Sequence, residues 1–512
     1  MITAMHSRWL SLCLFLTLIG TSSGQPRFAN IFSDHAVFQQ GTDIAVWGFG
    51  IATGLAVKIE FGEITVKAKV DRVGNWLARL PARNADPRGR DLVLIVDGEI
   101  VDRLHDIVVG EVWLAAGQSN MQFPVRQMSK HLPEAKSWIG SARRPTIRVR
   151  RINDPVLKDR NAGAEDIKDT GGWVRMDPET VLQFSAVAAV FARELNASQN
   201  VPIGVLDVSW GGKPIEPFIP RGMFYHHGLK PILKMANEGH LDELAKLSGG
   251  VIIRNPEGHP GAIFNARIGP LTRYALKGAI WYQAESNCGR GEDPRRYHIK
   301  QRALIEGWRG QWQRMDLPCY YVQLPGFPDA TGWIRMREEQ RLALAVPNTG
   351  MAVTIDIRGE GIHPPDKLSV GRRLAKIALA NTYGVGGNET AGPIYDRHEI
   401  AESEVTVHFR NVGDGLMVGD KLGVGLPREA KNGKVKWFEL ADSTGSWHAA
   451  FAQIEGDRVR VRSDRVKRPV AVRYACHVQP QGKNLYNRAG FPASPFCSDL
   501  DLLPWDDHGE LN

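Results

Sequence analysis

The chain has 512 residues, of which 43% are hydrophobic and 23% are charged, a composition that excludes a disordered or collagen-like protein. Because domains usually contain about 100–200 residues, this length predicts two to four structural units. The net charge of +8 is spread thinly, with no block of five or six like charges, which argues against a nucleic-acid-binding arm.

The N-terminal segment has the pattern of an export signal. Arg8 is followed by an apolar run that ends at Ile19 and then by small residues up to Gly24, the layout of a secretory signal peptide. The run is shorter than the ~20 residues needed to span a bilayer. We expect residues 1–24 to be a signal peptide and the mature chain to be secreted or periplasmic, without a membrane anchor.

The cysteines leave their redox state open. Cys13 lies in the expected signal peptide, and four cysteines remain, so two disulfides with three possible connectivities can be drawn. A chain of this size does not need disulfides for stability, and buried thiols are an equal alternative. The spacing does not resemble a zinc site. The four residues are Cys288, Cys319, Cys476 and Cys497.

Residues 25–108 are rich in β-strand patterns. Short apolar runs, several alternating with period two, are separated by turn residues such as Gly74-Asn75 and Asp97-Gly98, as in half-buried strands joined by hairpins. We predict an N-terminal β-sandwich domain here. The runs are Ile44–Gly48, Ala56–Phe61, Ile64–Val70 and Leu92–Val96.

Residues 109–384 alternate between continuous apolar runs and segments with helical period. Continuous runs are typical of strands buried on both faces of a parallel sheet, and strands that alternate with helices indicate an α/β domain. The predicted strands are Ile107–Ala116, Ile203–Ser209, Gly278–Tyr282, Cys319–Leu324 and Met351–Ile355; the predicted helices are Ser185–Asn196, Arg295–Trp312 and Ser369–Tyr383.

Residues 385–512 return to short alternating strands, for example at Glu404–Phe409, Arg458–Arg462 and Val470–Ala475. Such alternation predicts a C-terminal β domain. The strands either form a second β domain or complete the N-terminal one.

The first candidate site residue is Ser119, directly after a predicted strand. Ligands of open α/β sheets bind beyond the carboxyl ends of the strands, and Gly117 allows a tight turn that exposes the serine hydroxyl and its N–H. A nucleophile beside N–H donors suits acyl transfer. Met121 stands where the α/β-hydrolase elbow has a second glycine. Taken alone, the segment fits a turn without chemistry.

Two further segments follow other predicted strands. Ser209-Trp-Gly-Gly212 offers unhindered backbone N–H donors, and Trp281–Asn287 contains Gln283, whose amide can donate to an oxyanion, and Glu285, which can orient a neighbour. Each of these segments, on its own, also fits an ordinary turn.

His363 supplies the base that a serine nucleophile requires. It lies in a glycine-rich loop between a predicted strand and a predicted helix. A carboxylate is expected to hold the imidazole tautomer, and both Glu360 and Asp356 are near enough in sequence. The alternative for an isolated loop histidine is simple solvent exposure.

Taken together, these segments resemble the sialate O-acetylesterase family within the SGNH hydrolase superfamily. The matching segments follow the family's order over nearly the whole mature chain. They are Phe32–Gln40, Gly110–Met121, Ser209–Gly212, Trp281–Asn287, Ile362–Lys367 and Asn484–Phe496.

The resemblance implies an α/β fold: a three-layer SGNH-hydrolase-like parallel sheet domain flanked by β-sandwich domains. It implies Ser119 as nucleophile and His363 as base, with Glu360 as the first choice for the acid. The implied oxyanion site combines the N–H of Ser119, an N–H of Gly211 or Gly212, and the Gln283 side chain. No metal or organic cofactor is implied. Candidates to contact substrate or support these groups are Asn120, Trp210 and Glu285.

Two positions depart from the family's pattern. The family usually has glycine where this chain has Ala284, and it often has aspartate where this chain has Gly361. The first change adds a methyl group that narrows the pocket or alters a backbone angle. The second leaves a Ser–His dyad as an alternative to the triad.

The sequence therefore predicts a secreted serine esterase that removes acetyl groups from sugars, with an acetylated glycan as its partner. The glycan is sialate or an acetylated polysaccharide such as xylan or pectin. The alternative from another class is a carbohydrate-binding protein with a degenerate hydrolase domain. The acetyl position and the oligomeric state stay open.

Overall fold

The computed structural model describes residues 25–159, 161–240, 256–288, 293–328, 332–357, 359, 361–386, 391–430, 433–482 and 484–503. The expected signal peptide at 1–24 and the expected acid Glu360 lie outside these residues. Within the described ranges, no helix is long and apolar enough to cross a membrane.

The N-terminal region forms two largely antiparallel β layers. Strands β1, β3, β7 and β6 form one sheet, and β5, β4, β8 and β9 pair in succession in the other, where β2 joins β9 in parallel. The strands are β1 Arg27–Phe28, β2 Val37–Gln39, β3 Ile44–Phe49, β4 Val57–Phe61, β5 Ile64–Lys67, β6 Lys69–Val70, β7 Trp76–Leu80, β8 Asp86–Val96 and β9 Glu99–Gly117.

Strand β9 connects this region to the centre of the molecule. Its first eight residues are exposed or half-buried and pair antiparallel with β8, whereas residues from Ile107 to Gly117 are all buried. The buried part pairs in parallel with two central strands. The expected boundary between residues 108 and 109 therefore falls inside one continuous strand.

The central sheet confirms the predicted α/β organisation. Its strand order is β11-β10-β12-β9-β13-β14-β15, and all neighbours are parallel except the edge strand β11. The additional strands are β10 Arg144–Arg151, β11 Val174–Met176, β12 Ile203–Asp207, β13 Gly278–Tyr282, β14 Cys319–Val322 and β15 Thr349–Ala352.

Eight α-helices accompany the sheet in the described ranges. Ser185 caps α4 by accepting from the N–H of Ala188, and Asp366 caps α8 by accepting from the N–H of Ser369. Gly384, whose φ is +65°, follows Tyr383 and caps the C-terminus of helix α8. The helices are α1 Ser119–Gln122, α2 Val125–His131, α3 Glu134–Gly140, α4 Ala186–Gln199, α5 Lys230–Glu238, α6 Tyr297–Gln311, α7 Trp333–Leu342 and α8 Lys367–Tyr383.

Shorter helical turns connect these elements. A π-helical turn spans Phe264–Ile268. The 3₁₀ turns are Thr180–Gln183, Glu216–Phe218, Arg221–Tyr225, Pro256–Gly258, Gly269–Leu271, Glu285–Asn287 and Ala343–Ala345.

The C-terminal region contains three antiparallel sheets, with orders β16-β17-β23-β22, β19-β18-β25 and β21-β20-β24-β26. In the part of the chain that is described, these strands pair only with one another. The strands are β16 Ile394–Ala401, β17 Glu404–Arg410, β18 Leu416–Asp420, β19 Arg428–Glu429, β20 Phe438–Ala441, β21 Trp447–Ala449, β22 Phe451–Glu455, β23 Arg458–Arg462, β24 Ala471–Tyr474, β25 Asn484–Asn487 and β26 Phe496–Cys497.

Of the two alternatives that the sequence left open, disulfides or buried thiols, the structure has buried thiols. All four cysteines in the described residues are buried, and none forms a disulfide: Cys288, Cys319, Cys476 and Cys497.

Candidate active site

Ser119 lies where the central strand β9 turns into helix α1. Gly117 has φ +135°, and a Cβ at that position would lie 2.1 Å from the carbonyl oxygen of Tyr282. The next residue, Gln118, donates its N–H to the same carbonyl oxygen at 3.0 Å. Only glycine permits so close a backbone approach, and the resulting turn places Ser119, half-buried, at the edge of the sheet.

His363 reaches the same edge from the loop before helix α8. Its Nε2 lies 2.7 Å from the Oγ of Ser119, although the two residues are 244 positions apart. This distance is within the hydrogen-bonding range that proton transfer requires. The fold therefore brings together the serine and the histidine that the sequence singled out.

A cleft of about 280 Å³ opens beside this pair. Two arginines contribute to its wall, and no aspartate or glutamate is among the described residues that line it. The cleft is therefore electropositive. Its lining residues are Ser119, Gln122, Phe123, Pro124, Arg126, Gln127, Arg151, Gln183 and His363.

The carboxylate that would orient His363 is not found among the described residues, since none of their carboxylate oxygens lies within ion-pairing distance of the imidazole. The carboxylate of Asp356 binds other residues instead of His363. Its two oxygens each accept from Arg373 at 2.7 Å, and the hydroxyl of Tyr486 donates to it at 3.2 Å. Asp356 thus anchors helix α8 to strand β25, while Glu360 lies outside the described residues.

The backbone N–H groups expected to bind the oxyanion differ in whether they already have a hydrogen-bond acceptor. The N–H of Ser119 has no acceptor within the described part of the chain. The N–H of Gly211 donates to the side-chain oxygen of Gln122 at 2.9 Å, and a Cβ on Gly211 would lie 3.5 Å from the Cβ of Ser119. Gly212 has φ +69° and borders open space. The loop of Gly211 is therefore adjacent to the serine.

Gln283 is completely buried, and its amide is already engaged. Its Nε2 donates to Asn287 at 2.8 Å, to Gln118 at 3.0 Å and to the carbonyl oxygen of Lys213 at 3.2 Å. Its Oε1 accepts from the hydroxyl of Tyr297 at 2.6 Å. Gln283 does not line the cleft, and in this arrangement it joins the loops behind the serine rather than facing it.

Asn120, the residue after the serine, connects the nucleophile turn to the loop that carries His363. Its amide donates to Glu285 at 2.5 Å and to the carbonyl oxygen of Ile362 at 2.9 Å, directly before His363. Its oxygen accepts a hydrogen bond from the ammonium group of Lys367. Asn120 thus fixes the histidine loop relative to the turn that carries the nucleophile.

Burial perturbs the charged members of this network. Burial raises the pKa of Glu285, although the hydrogen bond from Asn120 opposes the shift. Burial also lowers the pKa of Lys367 to about 7, against the attraction of Glu285 and Asp366. The pKa of His363 is lowered, first by the partial burial of its ring and then by the charge of Lys367.

Trp210 borders the site through a different contact. The guanidinium of Arg267 stacks on the Trp210 ring with a centroid distance of 3.8 Å. The backbone N–H of Trp210 donates to the carbonyl oxygen of Gly117 at 2.9 Å. This geometry supports the glycine loop. Among the described residues, no group of three or more His, Cys, Asp or Glu side chains could hold a metal ion.

Comparisons with known proteins now decide the family. Residues 262–380, which include His363, match the carbohydrate esterase family described as sialic acid-specific acetylesterase. A sialate O-acetylesterase of Rattus norvegicus is 30% identical over 455 residues, covering 77% of this chain and 81% of the relative. The chain belongs to the sialate O-acetylesterase family.

Other members agree with this assignment. A sialate O-acetylesterase of Pongo abelii is 28% identical, with 92% of each chain covered. The crystal structure of a carbohydrate acetylesterase from Xanthomonas citri is 31% identical, superposes with a TM-score of 0.79, and is matched over 99% of its length by 93% of this chain. Membership of the sialate O-acetylesterase family makes this protein an ester hydrolase.

The departure from the family's pattern at Ala284 has a structural cost. Ala284 is fully buried and has φ +154° and ψ −18°, a conformation that disfavours every residue except glycine. The added methyl group therefore strains the backbone beside Gln283. At the other departure, Gly361, a Cβ would meet nothing within 4 Å, so the missing aspartate leaves open space.

Lys367 and Gln118 are the important residues that the sequence did not single out. Lys367 stands in the matching segment Ile362–Lys367, but the start of a helix conceals its burial. Gln118 accepts from Gln283 and from the N–H of Ser286. A charged residue four positions after the histidine was the available signal for Lys367, and no comparable signal marked Gln118.

We predict that Lys367→Met raises the pKa of His363, because the substitution removes a nearby positive charge that favours the neutral imidazole. The shift is measured by NMR titration of the His363 ring protons. Lys376→Met, an exposed position on the same helix, serves as the matched control and leaves the titration unchanged. An unchanged or lower His363 pKa in Lys367→Met contradicts this electrostatic coupling.

We also predict that Ala284→Gly costs less stability than Ala279→Gly. Both substitutions delete one buried methyl group and add the same glycine entropy to the unfolded chain, but only the first relieves strain, of about 1–3 kcal/mol. Urea denaturation of the two variants measures the difference in free energy of unfolding. Equal losses would show that Ala284 carries no strain.

Proposed function

We propose that this esterase is an exported carbohydrate O-acetylesterase that hydrolyses acetyl esters on sugars by two-step acyl transfer, with Ser119 as nucleophile and His363 as base. The 2.7 Å separation of Nε2 and Oγ carries the proposal. Family membership supports the acetyl ester as the reacting group. The N-terminal pattern of residues 1–24 supports export.

In the first step, His363 takes the proton of the Ser119 hydroxyl as Oγ attacks the acetyl carbonyl carbon. The tetrahedral intermediate collapses, the bond to the sugar oxygen breaks, and the sugar leaves with the proton from His363. In the second step, His363 deprotonates water, which attacks the acetyl-serine, and the serine oxygen leaves with that proton. Acetate and the regenerated hydroxyl are the products.

The electrostatics of the site suit His363 to this role. A base must be neutral before it accepts a proton, and both partial burial and the charge of Lys367 lower the pKa of His363. The imidazole is therefore predominantly neutral at pH 7.

Backbone N–H groups are the donors best placed to stabilise the developing oxyanion. The N–H of Ser119 lacks a described acceptor, and the N–H of Gly211 lies beside it. The substrate oxygen would replace the Gln122 side chain on the Gly211 donor. Each such donor contributes roughly 10²–10³ in rate. Gly212 is the alternative donor in this loop, and Gln283 contributes by holding Gln118 and the adjacent loop in place.

The cleft favours an acidic glycan as the acetylated substrate. Arg126 and Arg151 line the cleft, and no Asp or Glu is among the described residues that line it. A sugar carboxylate is therefore attracted to a position near Ser119. Sialate and acetylated uronate polysaccharides share this chemistry. The relatives from Rattus norvegicus and Pongo abelii are named for action on sialate.

Ser119→Ala is expected to lower kcat/KM for 4-nitrophenyl acetate by at least about 10³-fold, because the acyl-enzyme cannot form. Ser129→Ala, a serine on the nearby helix α2, is the matched control and retains activity. The same pair of variants is then tested for acetate release from acetylated sialate and acetylated oligouronate. Full activity of Ser119→Ala would disprove the proposed nucleophile.

We propose Glu360 as the residue that positions His363, because Asp356 is bound to Arg373. Glu360→Gln is expected to lower kcat by 10²-fold or more at unchanged melting temperature. Asp356→Asn, in contrast, breaks a buried ion pair and is expected to lower the free energy of unfolding by about 3–5 kcal/mol. A kcat within twofold of wild type for Glu360→Gln would favour a Ser–His dyad.

A further inference from the structure

A cavity larger than the catalytic cleft lies apart from it, in the C-terminal β region. Its volume is about 790 Å³, compared with about 280 Å³ for the cleft, and the two share no lining residue. This volume is in the range of small-ligand sites, about 300–1,000 Å³. We call it the C-terminal groove, and it is lined by Lys434, Val435, Lys436, Trp437, Phe438, Glu439, Ala449, Ala450, Phe451, Ala452 and His477.

The groove presents aromatic surface to solvent. Phe451, at the start of strand β22, is 51% exposed, and Trp437, directly before strand β20, is half-buried. Trp437 also has φ +73°, a conformation that costs about 1–3 kcal/mol for a bulky residue and is concentrated at functional sites. Aromatic faces carry partial negative charge and attract the C–H groups on the apolar face of a sugar ring.

The charge of the groove is positive and is not neutralised by its own carboxylate. Lys434 and Lys436 are exposed, and neither forms an ion pair with a described residue. The Nζ of Lys434 lies over one face of the Phe451 ring, 5.4 Å from its centroid, so the positive charge is next to the aromatic surface. These lysines remain available to an anionic ligand.

Glu439 is already satisfied by other residues. Its carboxylate accepts from Arg473 at 2.7 Å and pairs with His477 at 3.2 Å. Burial opposes its ionisation, but these two partners outweigh burial and lower its pKa to about 2. Glu439 therefore does not compete for the two lysines.

We propose that the C-terminal groove is a second glycan-binding site, which takes a carboxylated oligosaccharide. The sugar rings stack on Phe451 and Trp437, and the carboxylates pair with Lys434 and Lys436. A neutral glycan would leave both lysines unused, and a purely apolar ligand would not need them. This site is independent of the esterase reaction, and it would hold an acidic polymer on the enzyme while the cleft acts on it.

The test is calorimetric binding of unacetylated acidic oligosaccharides to the whole protein. The probes are oligogalacturonate and oligosialate, which distinguish the two sources of a sugar carboxylate, and a neutral galactose oligomer of similar length. We expect binding of at least one acidic probe that weakens as salt is added and exceeds binding of the neutral probe. Binding of neither acidic probe, or equal binding of the neutral one, overturns the proposal.

Two sets of variants locate the binding. Phe451→Ala and the double variant Lys434→Ala/Lys436→Ala are expected to weaken acidic binding by at least about tenfold. The controls are Tyr225→Ala, an aromatic residue 63% exposed in the central region, and Lys67→Ala/Lys69→Ala, two exposed lysines with the same spacing. Wild-type affinity in the groove variants overturns the proposal.

Hydrolysis of 4-nitrophenyl acetate separates this site from the catalytic one. The groove variants are expected to hydrolyse it at the wild-type rate, since no groove residue lines the cleft. Loss of groove binding together with full hydrolysis supports a distinct site. If wild type binds the acidic probe at the groove but hydrolyses no ester, the proposed mechanism fails and the glycan-binding site stands.

Discussion

The parallel register of strand β9 with its two neighbours is the constraint on which the catalytic edge depends. Asp207 of β12 lies opposite Ala115, and Tyr282 of β13 lies opposite Gly117. Strands β9 and β13 therefore end at the same level and β12 ends two residues earlier, so the segments that follow the three strands meet. The backbone hydrogen bonds from Gln118 and Trp210 lock this arrangement. The position of the nucleophile is thus set mainly by main-chain geometry, and side chains refine it.

Behind that edge lies a buried polar layer. Asn120, Gln283, Glu285 and Lys367 are almost completely inaccessible, and their hydrogen bonds join loops that are distant in sequence. In a low-dielectric interior such networks rigidify a site when they are satisfied and are costly when a partner is missing. These hydrogen bonds hold the segments that carry Ser119 and His363 in place, so the groups that react are distinct from the groups that position them.

Sequence patterns predicted five of the seven strands of the central sheet and three of the eight described helices, because continuous apolar runs and helical periods are local signals. The edge strands β10 and β11 were not predicted, since neither contains a continuous apolar run. Ser119 and His363 were identifiable because each follows a strand with a glycine nearby. The partners of Gln283 were not, since a buried amide is satisfied by Gln118, Lys213 and Asn287 from three separate segments. The continuity of β9 was hidden because its burial pattern changes midway along the strand.

The burial of two cysteines near the C-terminus bears on how readily their thiols react. Cys476 and Cys497 lie together in a small apolar cluster with Ile334 and Leu503, where burial raises the pKa of both thiols and keeps the reactive thiolate scarce. Reagents that alkylate thiolates are therefore expected to react slowly with these two residues in the folded protein.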